Sequence, residues 1–167
     1  MILTHEDGVN DLSQEHYDKL IDSLDLKLLT CPHCHHTGTV VHAYYDRWVK
    51  NGEVEFELIV LRVKCQFCGK THAILPDSLI PYSSIPEEVT IEIIKAGNKE
   101  KLEEILTDNL CLDLTDIYRI RKNYQLHWKE RLKSFGLIID ESISRQCIRI
   151  FQRQFMQIRR LLCGSYG

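Results

Sequence analysis

The hydrophobic pattern of the chain changes period near its middle. Between Thr39 and Pro76 the apolar positions alternate or cluster over short distances, with β-branched and aromatic residues prominent. "TVVHAYYDRWV" (39–49), "VEFELIVLRVK" (54–64) and "THAILP" (71–76) each read as a strand. Asn51–Gly52 between the first two is a hairpin turn signal. The apolar parity of the second segment shifts between Leu58 and Ile59, which predicts a bulge or a strand buried on both faces.

From Ser84 the period is helical. "SSIPEEVTIEIIKAG" offers Ser84 as an N-cap with Glu87 three residues on, the capping-box pattern, and Gly97 as its stop. "NKEKLEEILTDN" starts on Asn98 and buries Leu102, Ile105 and Leu106. "LTDIYRIRKNYQLHWKERLKSFG" starts near Thr115, and Ile117, Ile120, Tyr124, Trp128, Leu132 and Phe135 form one helical stripe. "ESISRQCIRIFQRQFMQIRRLL" predicts a further long helix with Ile143, Cys147, Ile150, Phe151, Phe155, Ile158 and Leu162 on its apolar face. Ahead of the strands, Tyr17, Leu20, Ile21, Leu24 and Leu28 suggest a short amphipathic helix.

These elements predict an α+β chain in which three short antiparallel strands precede an all-α, helix-turn-helix-like domain. The boundaries follow composition: an acidic helical segment at 1–30, a ribbon at 31–76, a linker at 77–85, a helical domain at 86–136 and a C-terminal amphipathic basic helix at 137–167. The linker is placed where "PDSLIPYSSIP" gathers three of the four prolines.

Charge sharpens this division. Met1–Asp113 carries 20 acids against 10 bases, net −10, and Leu114–Gly167 carries 4 against 11, net +7. A basic back half suits an anionic partner, and two surfaces of opposite sign that attract each other account for it equally well. No apolar run approaches the roughly 20 residues of a membrane span, and the N-terminus lacks the basic and apolar regions of a signal peptide, so a cytoplasmic protein without a membrane partner is expected.

In that compartment paired cysteines point to metal rather than disulfide. "CPHCHH" holds Cys31 and Cys34, and "CQFCGK" holds Cys65 and Cys68, with 30 residues between the pairs. A two-residue spacer lets both sulfurs of one tight turn reach one ion, and Gly69 permits the left-handed backbone such a turn needs. The gap exceeds the about 15–20 residues usual between such pairs, and a hairpin insert accounts for it by bringing its own ends together. Four thiolates favour Zn2+ in a closed structural site over an iron–sulfur cluster. His33, His35, His36 and His72 are alternative ligands that read better as surface residues, and Cys111, Cys147 and Cys163 as small buried apolar ones. Glu53, Glu55 and Glu57 alternate along one strand as a solvated face, and no catalytic motif accompanies them, so an enzyme is not expected.

The helix beginning near Thr115 is the natural recognition element of a helix-turn-helix. With Ile117 and Ile120 turned inward, Thr115, Tyr118, Arg119, Arg121, Lys122, Asn123 and Gln125 remain to meet double-stranded DNA. Arginine suits guanine, asparagine and glutamine suit adenine, and lysine and threonine suit phosphate. A second candidate phosphate contact is the i, i+4 row Arg145, Arg149 and Arg153 on the last helix, whose apolar face either packs on the helical domain or joins a second copy as a homodimer. A solvated basic face is the alternative for both helices.

"CPHC", "YYDRWVKNG" and "LRVKCQFCGKTHAILPDSLIPYS" together resemble a family of uncharacterised bacterial mobile-element proteins with a transposase-like zinc-ribbon N-terminus followed by a helix-turn-helix. The resemblance covers Cys31 to Ser84 and implies Cys31, Cys34, Cys65 and Cys68 as the zinc ligands. A full transposase adds an RNase H-like domain with three metal-binding carboxylates. Here 31 residues follow Gly136, with Asp140 and Glu141 as their acids. The expectation is a zinc-dependent DNA-binding protein without a catalytic domain, a transposition accessory or a regulator, whose chemistry is supplied by a separate protein. The alternative is a protein-interaction adaptor whose ribbon docks a partner.

Overall fold

The computed structural model describes residues 1–4, 12–140 and 142–158. The chain is mixed α+β, with strands β1 (Ile2–Thr4), β2 (Thr39–Asn51), β3 (Val54–Cys65) and β4 (Thr71–Pro76). Its helices are α1 (Gln14–Ser23), α2 (Glu87–Lys95), α3 (Lys99–Asp108), α4 (Leu114–His127), α5 (Lys129–Ser134) and α6 (Ile143–Phe151). The four strands form one sheet in the order β1-β4-β3-β2. Two features differ from the expected ribbon. The hairpin strands are long, 13 and 12 residues, and the N-terminal segment joins the sheet, with Ile2 beside Ile74 in a parallel pairing.

The turn of the hairpin falls one residue later than the Asn51–Gly52 signal implies. Asn51 pairs with Val54, leaving Gly52 and Glu53 as the two loop residues. Gly52 has φ +62°, and a glycine at the first loop position meets the positive φ that a II′ hairpin demands. The predicted irregularity is also displaced. His42 is the extra residue, on β2 between Val41 and Ala43. On β3 burial changes face between Val60 and Leu61, because Leu58 and Val60 enter one apolar cluster and Leu61 and Val63 another.

Helix α1 bridges an opening in the sheet. Strands β3 and β4 pair only from Lys64↔Thr71 to Arg62↔Ala73 and then separate. The Tyr17 hydroxyl enters the gap, accepting from the Leu61 amide at 2.9 Å and donating to the Ile74 carbonyl at 3.0 Å. Gln14 extends this side-chain substitute for a ladder by accepting from the Ile59 amide at 2.8 Å. Tyr17 is buried, and its phenol is pushed up to about 12 by burial, which the Leu61 amide partly offsets.

Residues 77–85, expected as a linker, are packed. Leu79 belongs to the sheet's core, while Ile80 and Ile85 belong to the helical core with Ile93, Ile117, Ile120, Trp128, Leu132, Ile143, Cys147 and Phe155. Arg47 donates to the carbonyls of Ile80 and Ser83 at 2.6 and 2.5 Å, and the Lys50 amide donates to Ser84 at 2.8 Å. The segment is therefore a strap tied to β2.

The helical half departs from expectation at its ends. Pro86 precedes α2 without a side-chain cap, and Ser84 does not form the predicted capping box; Glu87 instead donates its amide to Ser78. Asn98 caps α3 as expected, accepting from Lys101. Leu102, Ile105 and Leu106 are partly buried against the helical core. Asp113 caps α4, and the long helix predicted to Phe135 breaks at Trp128 into α4 and α5. The stripe is otherwise as predicted through Leu132, with Phe135 left exposed.

Helix α6 is shorter than predicted. It stops at Phe151 because Gln152 is left-handed, φ +55°, which turns Phe155 and Met156 back into the helical core. Its apolar face thus packs within the chain. Glu141, Leu162 and Cys163 lie outside the described residues. No described helix is long and apolar enough to cross a membrane.

Replacing Tyr17 by Phe should leave a buried amide and carbonyl without their shared partner. The expected loss is about 1–3 kcal/mol, read as a lowered denaturant midpoint at unchanged slope.

Candidate metal centre and nucleic-acid face

Two short turns present the cysteines. In the first, the His35 amide donates to the Cys31 carbonyl at 2.9 Å and the Cys31 amide to His36 at 2.9 Å. In the second, the Gly69 amide donates to Cys65 at 3.0 Å and the Cys65 amide to Lys70 at 2.9 Å. The two turns are near copies, with His35 (φ +61°) in the backbone position of Gly69 (φ +71°). A left-handed histidine is strained where glycine is not, so the weaker sequence match folds the same way at a cost. The hairpin brings the turns together, since Thr39 pairs with Cys65. The planes of His36 and Phe67 then stack across the junction at 3.6 Å between centroids.

The Sγ atoms of Cys31, Cys34, Cys65 and Cys68 all lie within 4.8 Å of one another. Cys31–Cys68 and Cys34–Cys65 are each 3.7 Å apart, far beyond the about 2.05 Å of a disulfide. The four thiols are not equivalent. Burial opposes ionisation of Cys31, but the amides of Cys34 and His33 and the neighbouring thiols outweigh it and hold the group at about 7. At Cys65 the Cys68 amide leads in lowering the thiol. Cys34 goes the other way: the His36 amide favours its thiolate, yet desolvation and the other three sulfurs push it up to about 12. Cys31 and Cys65, one sulfur in each turn, are poised to ionise, and a bound cation would bring Cys34 down as well. This quartet can hold a metal ion.

His72 differs from the surface residue expected. It is 8% exposed, and its Nε2 lies 3.2 Å from the Cys31 sulfur. The register carries the missed signal, because His72 sits opposite the inward-facing Val63. His33, His35 and His36 are exposed. Cys147 is buried, as expected, while Cys111 is half-buried and bonds the Gly52 carbonyl at the hairpin tip.

The helical candidates divide by environment. Thr115, Tyr118, Arg119, Lys122 and Gln125 are exposed on α4, and Asn123 is half-buried. The Lys122 ammonium lies 5.5 Å from the Tyr118 ring centre, and Arg119 donates to Asp116 at 2.7 Å. Arg121 has another use, donating to the carbonyls of Ile93 and Ala96 at the C-terminal end of α2. Arg145 and Arg149 are exposed on α6, but Arg153 lies beyond its end, so the predicted three-arginine row is broken by the left-handed Gln152.

Residues 31–113 match the model of a domain of unknown function, DUF6431. The matched stretch runs from the first cysteine through the hairpin, strap, α2 and α3 to the cap of α4. No curated protein and no solved structure matches the chain.

The Cβ of an alanine at Gly69 would meet only the Lys64 Cε at 4.0 Å, so space is not the obstacle there. Gly69→Ala should nevertheless cost about 1–2 kcal/mol through its backbone alone, whereas His35→Gly should be neutral or stabilising. Paired denaturation curves of the two variants check this asymmetry.

Proposed function

We propose that the chain is a zinc-dependent DNA-binding protein that supplies an address and leaves the chemistry to another protein. The mobile-element resemblance of Cys31 to Ser84 sets the context, as a transposition accessory or a regulator. In this reading the sheet end is a zinc ribbon and α2–α4 act as a helix-turn-helix. Zinc fits the quartet on geometry: zinc–sulfur bonds of about 2.3 Å in a tetrahedron require sulfurs about 3.8 Å apart, and two pairs stand at 3.7 Å. Cys31, Cys34, Cys65 and Cys68 would hold the ion, which would act as a structural crosslink with no open position. The acids Glu53, Glu55 and Glu57 are all exposed on the hairpin, in keeping with a solvated face.

The observation that carries DNA binding is the outer face of α4. It presents Thr115, Tyr118, Arg119, Lys122 and Gln125 together, while the helix's other face is anchored through Ile117 and Ile120. Arg121 leaves the contact set because α2 uses it, and Arg145 and Arg149 form a separate basic pair. The adaptor reading draws on a different observation: β2 is an edge strand with Val41 and Tyr44 exposed.

Protein purified without chelator should carry about one zinc per chain, and its removal should unfold the cysteine turns. Less than half an equivalent by elemental analysis contradicts the zinc assignment. Duplex binding should weaken with salt, and Lys122→Ala should reduce the slope of log affinity on log salt by about 0.9 if it touches phosphate. Arg119→Ala should cost about 1–3 kcal/mol at one base position. Arg121→Ala should lower stability and leave the slope intact. A salt-independent affinity, or an unchanged Arg119→Ala/Lys122→Ala double variant, favours the adaptor.

A further inference from the structure

Residues 81–84 of the strap line a cleft of about 470 Å3 on the sheet. That volume lies in the range of small-molecule sites, about 300–1,000 Å3. Its walls combine rings and guanidinium groups. Tyr45, Arg47 and Trp48 come from β2, Arg62 from β3, Thr71 from β4 and Tyr82 from the strap. Among the described residues no aspartate or glutamate lines it, although the stretch that builds it, Met1–Asp113, carries net −10. Arg47 is committed to the strap carbonyls, and Arg62 is the exposed cation of the lining. The Arg62 guanidinium lies 6.0 Å from the Tyr45 ring centre and bonds the Thr71 hydroxyl at 3.1 Å.

Tyr82 is the unusual residue. It has φ +65° and is 74% exposed. A bulky side chain in the left-handed region is strained, and the two Arg47 bonds on either side hold the segment in that shape. The strain displays the ring instead of burying it. A second cleft, of about 430 Å3, shares the same strap residues and is lined on its far side by Arg119 and Asn123 of α4. Tyr82, with Pro81, Ser83 and Ser84, lines both clefts.

We propose that the sheet cleft binds a nucleoside phosphate. The base stacks on the exposed ring of Tyr82, with Tyr45 and Trp48 lining the cleft beside it, and the phosphate faces Arg62. Stacking accepts any base, and a guanidinium in a cleft without carboxylates among the described residues selects an anion. The ligand is a free nucleotide or one unpaired nucleotide of a strand. The proposal does not rest on duplex recognition by α4.

Calorimetric titration of the purified full-length chain tests it, using AMP, adenosine, inorganic phosphate and a 5′-phosphorylated thymidine octamer. AMP, the octamer or both should bind saturably, at least about tenfold more tightly than adenosine or phosphate alone. Binding of AMP alone assigns a free nucleotide, and binding of the octamer alone assigns a strand. Arg62→Ala and Tyr82→Gly should each weaken binding about tenfold, the second without loss of thermal stability, since glycine accepts the backbone. The Arg119→Ala/Lys122→Ala variant should bind AMP as the parent does, since neither residue lines the sheet cleft, which separates this site from the duplex face. Dissociation constants above about 1 mM for both AMP and the octamer, or parental affinity in either cleft variant, overturn the proposal.

Discussion

The long β2–β3 hairpin is the constraint on which the rest of the structure depends. At its open end it sets Thr39 against Cys65 and so brings together two cysteine turns that are 30 residues apart in the chain. At its tip it meets the helical half. A strand of 12 residues rises about 40 Å, so one paired unit spans the distance from the candidate metal centre to the helices. The tip contact is specific. Lys50 reaches Asp116 of α4 at 2.7 Å, with both side chains largely buried, and Asp116 in turn holds Arg119 at 2.7 Å. The Asp116 carboxylate holds the Lys50 ammonium above its ordinary range, against the opposing effect of burial. The orientation of α4 is therefore tied to the sheet through one carboxylate that also positions a candidate base-reading arginine.

This arrangement would give a bound metal a limited structural role. A closed cysteine shell at the open end would fix the register of the strands, and register fixes where Lys50, Arg47 and the strap sit. It would not touch α4. The strap is the second element in common: it contributes Leu79 to the sheet core and Ile80 and Ile85 to the helical core, so the two apolar clusters are joined by side chains on one short segment.

Much of this architecture is legible in the sequence, and what is not has physical causes. The hairpin, β4, the cap at Asn98 and the stripe along α4 and α5 through Leu132 are governed by local periodicity and capping, which a single chain displays. The convergence of four cysteines follows from spacing combined with the hairpin. The packing of the strap is hidden because proline and serine content marks irregular backbone, not exposure; its order comes from Arg47 and Lys50, residues distant in sequence. The N-terminal strand depends on pairing with Ile74 and Leu75, which no local pattern reveals. The end of the last helix is hidden because hydrophobic periodicity continues to Phe155, whereas the backbone reverses at Gln152 and buries Phe155 from a different direction. Arg121 and Arg119 look alike in sequence; only the position of the α2 carboxyl end distinguishes a structural cap from an exposed contact.

The most direct test of the hairpin as the connecting element is a double-mutant cycle on Lys50 and Asp116, with stability measured for Lys50→Met, Asp116→Asn and the pair. Removing one partner leaves the other partly buried without its counter-charge. The two changes should therefore be strongly non-additive, with a coupling of about 1–3 kcal/mol. Effects that add to within about 0.3 kcal/mol would show that the sheet and α4 are positioned independently, which contradicts a hairpin that orients the helical half.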